Sequence, residues 1–184
     1  MRIANPYTLD LEQVHELNRL FLSFLQRQAR NAQFCFGLPT PAIELLAGAT
    51  NEVLERAAEL PRALFRLNLA EPAARDRLVA GDSTEARALL SLQLTILLTV
   101  SGISRQSPYR ARAFFGVTSR DLQRLRALQL SEIPALAVTS ELVACSFDDV
   151  EWLWRELLAP DDSPSHRQHL ELVALQPVVH RASA

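Results

Sequence analysis

Leu11, Val14, Leu17, Phe21, Phe24 and Leu25 recur at intervals of three and four, with Glu12, Gln13, Glu16 and Arg19 between them. That spacing places the apolar set on one face of a helix. Thr8 stands as its N-cap, with Asp10 and Glu12 in the first turn, and the pattern runs to about Arg30. A short helical turn then carries Phe34 and Phe36 into Gly37, a left-handed stop. Thr40 followed by Pro41 reads as an N-cap with proline at the first helical position, opening a short helix that Gly48 closes. Thr50 caps the next helix, which ends near Leu60-Pro61. From Ala63 to Leu69 the period changes to two. Phe65, Leu67 and Leu69 fall on one side and Arg66 and Asn68 on the other, which predicts a short strand.

After a loose stretch around Glu71 to Gly81, Asp82-Ser83-Thr84-Glu85 forms a capping-box entry into a long helix from about Thr84 to Ser104. Ala88 to Ser104 holds no charged residue, yet it only reaches the lower length limit for a membrane span and is interrupted by Ser91, Gln93, Thr95, Thr99, Ser101 and Gly102. It reads as a helix sandwiched between others, and no membrane is expected. Ser107-Pro108 introduces a short helix ending at Gly116, and Thr118 with Asp121 caps Ser119 to Leu128. Ser131 starts another helix, and Leu142 to Phe147 mirrors the earlier extended piece. Asp148 with Glu151 caps a helix holding Trp152 to Leu158. Asp161-Asp162-Ser163-Pro164 separates it from a last helix, Ser165 to Leu175.

The two passes through this pattern are related. Residues 32 to 46 read Ala-x-Phe-Cys-Phe-Gly-Leu-x-x-x-x-Ile-x-x-Leu, and residues 111 to 125 carry the same apolar spacing, offset by the 79 positions between Gly37 and Gly116. A duplicated unit with its apolar positions kept implies two halves of one packed assembly. The expected fold is all-α: repeats over residues 1–82 and 83–184 share the long helix 84–104 and form an intramolecular pseudo-dimer, each with a short extended segment. A chain of 184 residues, 48% hydrophobic, can bury such a core, and its five glycines and Leu- and Ala-dominated apolar set favour helix.

The net charge of -2 gives no whole-molecule attraction to nucleic acid. Charge is distributed unevenly, however. Between positions 105 and 126 stand Arg105, Arg110, Arg112, Arg120, Arg124 and Arg126 against the single acid Asp121. All 19 basic residues are arginine, which suits bidentate phosphate or guanine contacts and equally follows from genome composition. Cys35 and Cys145 sit in apolar stretches with no CxxC spacing or adjacent histidine, so a reducing cytoplasm is expected and no zinc site or disulfide framework. Met1-Arg2-Ile3-Ala4-Asn5-Pro6 is not the apolar run of a signal peptide.

The apolar first helix ending in Ala32-Gln33-Phe34-Cys35-Phe36-Gly37, the short-helix pair after it, and Leu142-Val143-Ala144-Cys145-Ser146-Phe147-Asp148 together resemble the FlhD family of flagellar master-regulator subunits. The resemblance implies an all-helical subunit that dimerises, carries a helix-turn-helix-like element and joins a zinc-binding partner, FlhC, to activate transcription. Family members hold one copy, so here two copies in one chain would imitate the homodimer, and the stoichiometry with an FlhC-like partner is open.

In a helix-turn-helix layout Arg105, Arg110 and Arg112 lie before the turn. The second helix presents Thr118, Ser119, Arg120, Gln123 and Arg124 to a groove or to phosphates. A solvated arginine face accounts for the same residues. The equivalent helix of the first copy, Pro41 to Ala47, has no arginine and carries Glu44, so DNA reading is not expected of it. Trp152 and Trp154 lie two apart and face different ways; Trp152 is assigned to the core and Trp154 to an exposed partner contact. That contact supports a second reading, an adaptor that binds protein and not DNA. His166 and His169, spaced i, i+3 near Asp161, Asp162 and Glu171, are half a metal site without a matching third ligand. No Ser-His-Asp or Cys-His set, paired carboxylates, Walker loop or GxGxxG is present, so neither an enzyme nor a cofactor is expected.

Overall fold

The computed structural model describes residues 6–31 (side chains from Leu11), 36–69, 83–139, 142–159 and 163–175. Within them the chain is mostly helical. In order it runs α1 (Pro6–Arg30), α2 (Thr40–Gly48), α3 (Asn51–Ala58), β1 (Phe65–Leu67), α4 (Thr84–Gln106), α5 (Pro108–Phe115), α6 (Ser119–Ala127), α7 (Ile133–Ala137), β2 (Val143–Cys145), α8 (Glu151–Leu157) and α9 (Pro164–Leu175). The predicted helices and both extended pieces are therefore present, apart from the short turn before Gly37, most of which lies outside the described residues; α1 begins at Pro6, so Thr8 lies within it and is not its N-cap. Asp82, Cys35, Phe34, Asp161, Asp162, the stretch from Glu71 to Gly81 and everything from Gln176 lie outside the described residues.

Each long helix gathers the short helices that follow it. α1 packs on α2 and α3, α4 packs on α5, α6 and α7, and the two long helices touch each other. Val14, Leu17, Phe21, Leu22 and Leu25 of α1 and Ile96, Leu97 and Val100 of α4 are almost wholly buried. A row of rings ties the halves together: Phe21 meets Phe36 at 5.9 Å and Phe65 at 5.6 Å between centroids, and Phe65 meets Phe115 at 6.1 Å. Such pairs add about 0.5–1.5 kcal/mol each beyond the area they bury. β1 and β2 pair antiparallel, with Phe65 opposite Cys145, Arg66 opposite Ala144 and Leu67 opposite Val143. The ladder extends at both ends, since Asn68 N donates to Leu142 O at 2.8 Å and Ser146 N donates to Leu64 O at 2.9 Å.

Side chains on the long helices satisfy the backbone ends of the short ones. Asn18, fully buried, donates to the carbonyls of Ala58 (3.2 Å), Leu60 (3.4 Å) and Arg62 (3.0 Å) and accepts from Leu64 N at 2.9 Å. Gln26 donates to Leu46 O and Ala49 O, while on α4 Ser101 donates to Leu125 O and Gln93 to Thr139 O. These carbonyls lie at or just beyond the ends of the short helices, and those of Leu46 and Thr139 also accept from Ala49 N and Leu142 N.

Some local expectations are corrected. Pro39, not Thr40, occupies the N-cap of α2, because Pro41 and the extended Pro39 backbone already set the helix start, and its C-terminus ends on an extended Ala49 with no left-handed Gly48. α7 begins at Ile133, two residues after Ser131, because Glu132 turns its carboxylate onto Gln129 N at 2.6 Å. Asp148 does not cap α8, whose N-cap is Val150. Both its oxygens are taken by Arg66, at 2.7 and 2.8 Å. α4 is not enclosed on every side, since Ser91 and Leu98 stand exposed. Thr50, Ser83, Ser107 and Thr118 do cap their helices as read.

Candidate nucleic-acid interface

The arginine-rich segment comprises the end of α4, α5, a turn at Gly116 and α6. Ser107 caps α5 by accepting from Arg110 N, and Pro108 sits in its first turn, where the missing N–H costs nothing. α5 stops at Gly116, whose φ of +60 redirects the chain. The positive φ is what calls for glycine; a Cβ there would also lie 2.6 Å from Arg62 Nη2, the far end of a side chain that can shift. Val117 is buried beyond it. Thr118 then caps α6, accepting from Asp121 N at 3.1 Å while donating to Asp121 Oδ2 at 2.6 Å. The one acid of the segment is thereby occupied at the helix start, where its charge suits the dipole.

Leu122 and Leu125 anchor α6 on α4, which fixes the opposite face outward. That face carries Ser119, Arg120, Gln123 and Ala127, all exposed, with Thr118 exposed at its head and Arg126 exposed at its flank. Arg112 is exposed on α5, and Arg110 is half-buried. Two of the predicted arginines are tied back to the protein through one N–H each: Arg105, exposed, donates to Leu128 O, and Arg124, half-buried, donates to Leu69 O. The physical reason is shared: a backbone carbonyl without a ladder or helix partner lies within reach of a long donor. Conversely Arg126, counted in the basic run but not placed at the interface, is exposed beside it. Its spacing from Leu122 and Leu125 was the signal available.

The aromatic assignment is reversed. Trp154 is 1% exposed and its Nε1 donates to Phe147 O at 2.9 Å, whereas Trp152 is 46% exposed. Trp154 is thus core and not a partner contact, because α8 turns the 153–154–157 edge toward the body of the protein. Trp152 lies beside His169, 6.4 Å between ring centroids. His166 instead turns its Nε2 to Glu156 O at 3.2 Å, so the two imidazoles do not converge on one point. Among the described residues no group of three or more metal-ligating side chains comes together.

α4 is long and apolar enough to cross a membrane by length and composition, and 39% of its most apolar window is buried inside the protein. Neither a family model, nor a curated protein, nor a solved structure matches the chain.

Proposed function

We propose that the chain is a transcription-regulator subunit of the FlhD type, a tandem pseudo-dimer acting with an FlhC-like zinc-binding partner on DNA. The observation that carries the DNA contact is the outward face of α6: Arg120 and Gln123, flanked by Arg112 and Arg126, with the only nearby acid of the segment bound in a cap. Support for the pseudo-dimer comes from one hydrogen bond that recurs at the 79-residue offset, Gln26 to Ala49 O and Arg105 to Leu128 O. The equivalent carbonyls of Leu46 and Leu125 are also served from the long helices, by Gln26 and by Ser101, although these two donors are not equivalent positions. α2 and α6 occupy the same register, Thr40–Gly48 and Ser119–Ala127, and Gly37 and Gly116 both take positive φ ahead of them.

In this reading the contact is mainly to phosphate, through Arg112, Arg120 and Arg126, and Gln123 approaches base edges. The first copy contributes packing, since the outward positions of α2 are Pro41, Glu44 and Leu45. The test is a gel-shift titration over salt, with and without the partner. Each phosphate contact contributes about -0.9 to the slope of log K against log salt, so Arg112→Ala, Arg120→Ala and Arg126→Ala each make it shallower by about that amount. Arg124→Ala leaves the slope unchanged. Absence of DNA affinity in either condition removes the reading. An adaptor role is favoured instead by one observation, the exposed Trp152 beside His169 on α8 and α9 with Leu172 59% exposed. A partner interface there would be insensitive to salt.

A further inference from the structure

Tyr109, in the first turn of α5, is 85% exposed, more than any other large apolar side chain among the described residues. Among those residues neither its ring nor its hydroxyl has a partner. Helical side chains lean toward the helix N-terminus, so the ring leans toward the turn that joins α5 to α4. Arg105 and Gln106, both exposed, end α4 at that turn, and exposed Arg112 follows Tyr109 one helical turn along α5. Four positions after the tyrosine stands only Ala113, also exposed, too small to cover the ring from within its own helix. No acid occurs from position 105 to position 120. An uncovered aromatic ring thus stands between cations on a surface without counter-charges of its own.

We propose that Tyr109 stacks on an unpaired base of a single-stranded nucleic acid, with Arg105 and Arg112 on the phosphates beside that base. Charge and shape together select this occupant. The chain as a whole is slightly acidic, so a polyanion is drawn to this local excess of arginine and not to the molecule at large. A protein partner would have to bring acids for the guanidinium groups and an apolar pocket for the ring, whereas each nucleotide carries a flat ring and an anion in one unit. A duplex offers its phosphates and base edges only, because each base face is already covered by its neighbours in the stack; an unpaired base offers the face itself. Stacking also leaves the tyrosine hydroxyl at the rim, in water. Every base has such a face, so little sequence preference is expected. The inference shares Arg112 with the duplex contact of α6 but needs neither a duplex nor an FlhC-like partner.

Fluorescence anisotropy on the full chain tests it, using labelled oligo-dT and oligo-rU of about 12 nucleotides and a DNA duplex of the same length, at low salt. The expected result is single-strand binding that weakens at least about fivefold in Tyr109→Ala and stays within about twofold of wild type in Tyr109→Phe, which keeps the ring. Affinity for the duplex is indifferent to Tyr109→Ala. Either oligomer supports the proposal, and the tighter one identifies the sugar. Tyr109→Trp in a Trp152→Phe background places a reporter on the site, and its emission falls when a base stacks on it. Because the ring is 85% exposed, Tyr109→Ala leaves the thermal midpoint unchanged. A chain without affinity for either oligomer overturns the proposal, as does strand binding indifferent to Tyr109→Ala or weakened equally for strand and duplex. A Tyr109→Phe variant as weak as Tyr109→Ala also overturns it, since the hydroxyl and not the ring would then make the contact. Duplex binding without strand binding sinks this inference and leaves the α6 reading standing; strand binding alone does the reverse.

Discussion

At the residue scale, Asn18 matters out of proportion to its size. Its amide supplies four hydrogen bonds in a site closed to water, bridging α1 to the chain from Ala58 to Leu64. Asn18→Ala removes them and leaves Leu64 N and three carbonyls to find new partners, which costs roughly 2–4 kcal/mol at about 1–3 kcal/mol per strongly orphaned group. Urea denaturation should show that loss as a lower midpoint with unchanged slope. Asn18→Leu fills the space but orphans the same groups, so it is no rescue. His15 gives a pH-dependent counterpart. Its Nε2 is buried without a partner, and burial lowers its pKa below the ordinary 6.5, opposed by Glu59 and Glu12 and assisted by Arg19 and Arg167. The unfolded chain then takes up a proton below pH 6.5 that the folded chain refuses, so His15 costs stability as pH falls from 6.5 to its lowered value and nothing above 6.5. The difference in unfolding free energy between His15→Leu and wild type should grow in that acid window and be flat above it. Neither role was legible in the sequence. Asn18 sits at a helical position between Leu17 and Phe21, and its partners lie 40 or more residues away, where no local pattern reaches.

At the element scale, the short strands are held by one ion pair as well as by their ladder. Arg66 and Asp148 meet side-on with two hydrogen bonds, each side chain about one-third exposed or less. The hydrogen bond to Asp148 is the leading reason that the Arg66 guanidinium holds its proton even more firmly than usual. Partial exposure limits the pair to about 1–2 kcal/mol, above an exposed pair and below a buried one. A double-mutant cycle on Arg66→Ala and Asp148→Ala should return a coupling of that size, and Arg66→Lys should recover less than half, because an ammonium cannot bond both oxygens. This pair also explains where sequence reading failed. Asp148 three residues before Glu151 has capping-box spacing, and only tertiary structure shows its carboxylate engaged elsewhere. Periodicity succeeded where the determinant was local: the two long helices, the period-two strand at Phe65 and the caps at Thr50, Ser83 and Thr118 depend on neighbours within four residues. At the basic segment the helix–turn–helix layout was legible from Gly116 and Thr118. The diversion of Arg105 and Arg124 was not, because the carbonyls that attract them, Leu128 and Leu69, are positioned by packing.

At the scale of the whole molecule, the N- and C-terminal halves are interdependent and are not two domains on a string. β2 has its ladder partner in β1, α8 packs on α2, α1 packs on α4, and Ala63 N donates to Phe114 O at 2.7 Å. A fragment of residues 83–184 would keep α4 on α5, α6 and α7. It would expose the inner sides of α4 and α8, lose the Phe65 ring from Phe115, and leave Asp148 without Arg66. The lost cover falls on Phe115 and Val143, both buried beside Phe65 and Leu67, and full burial of such a side chain contributes about 1.5–3 kcal/mol. That exceeds what half of a marginally stable domain can forgo. The fragment alone should therefore lack a sharp thermal transition. Fragments 1–82 and 83–184 mixed together should regain one, with tryptophan fluorescence and far-UV circular dichroism tracing a single curve because Trp154 is buried in a helix that leans on α2. Intact, the chain should melt in one step by both probes. A fragment 83–184 that melts sharply by itself would mean that the C-terminal half folds alone, and the contacts of β1, α1 and α2 with it would then be a docking of two stable units and not a shared core.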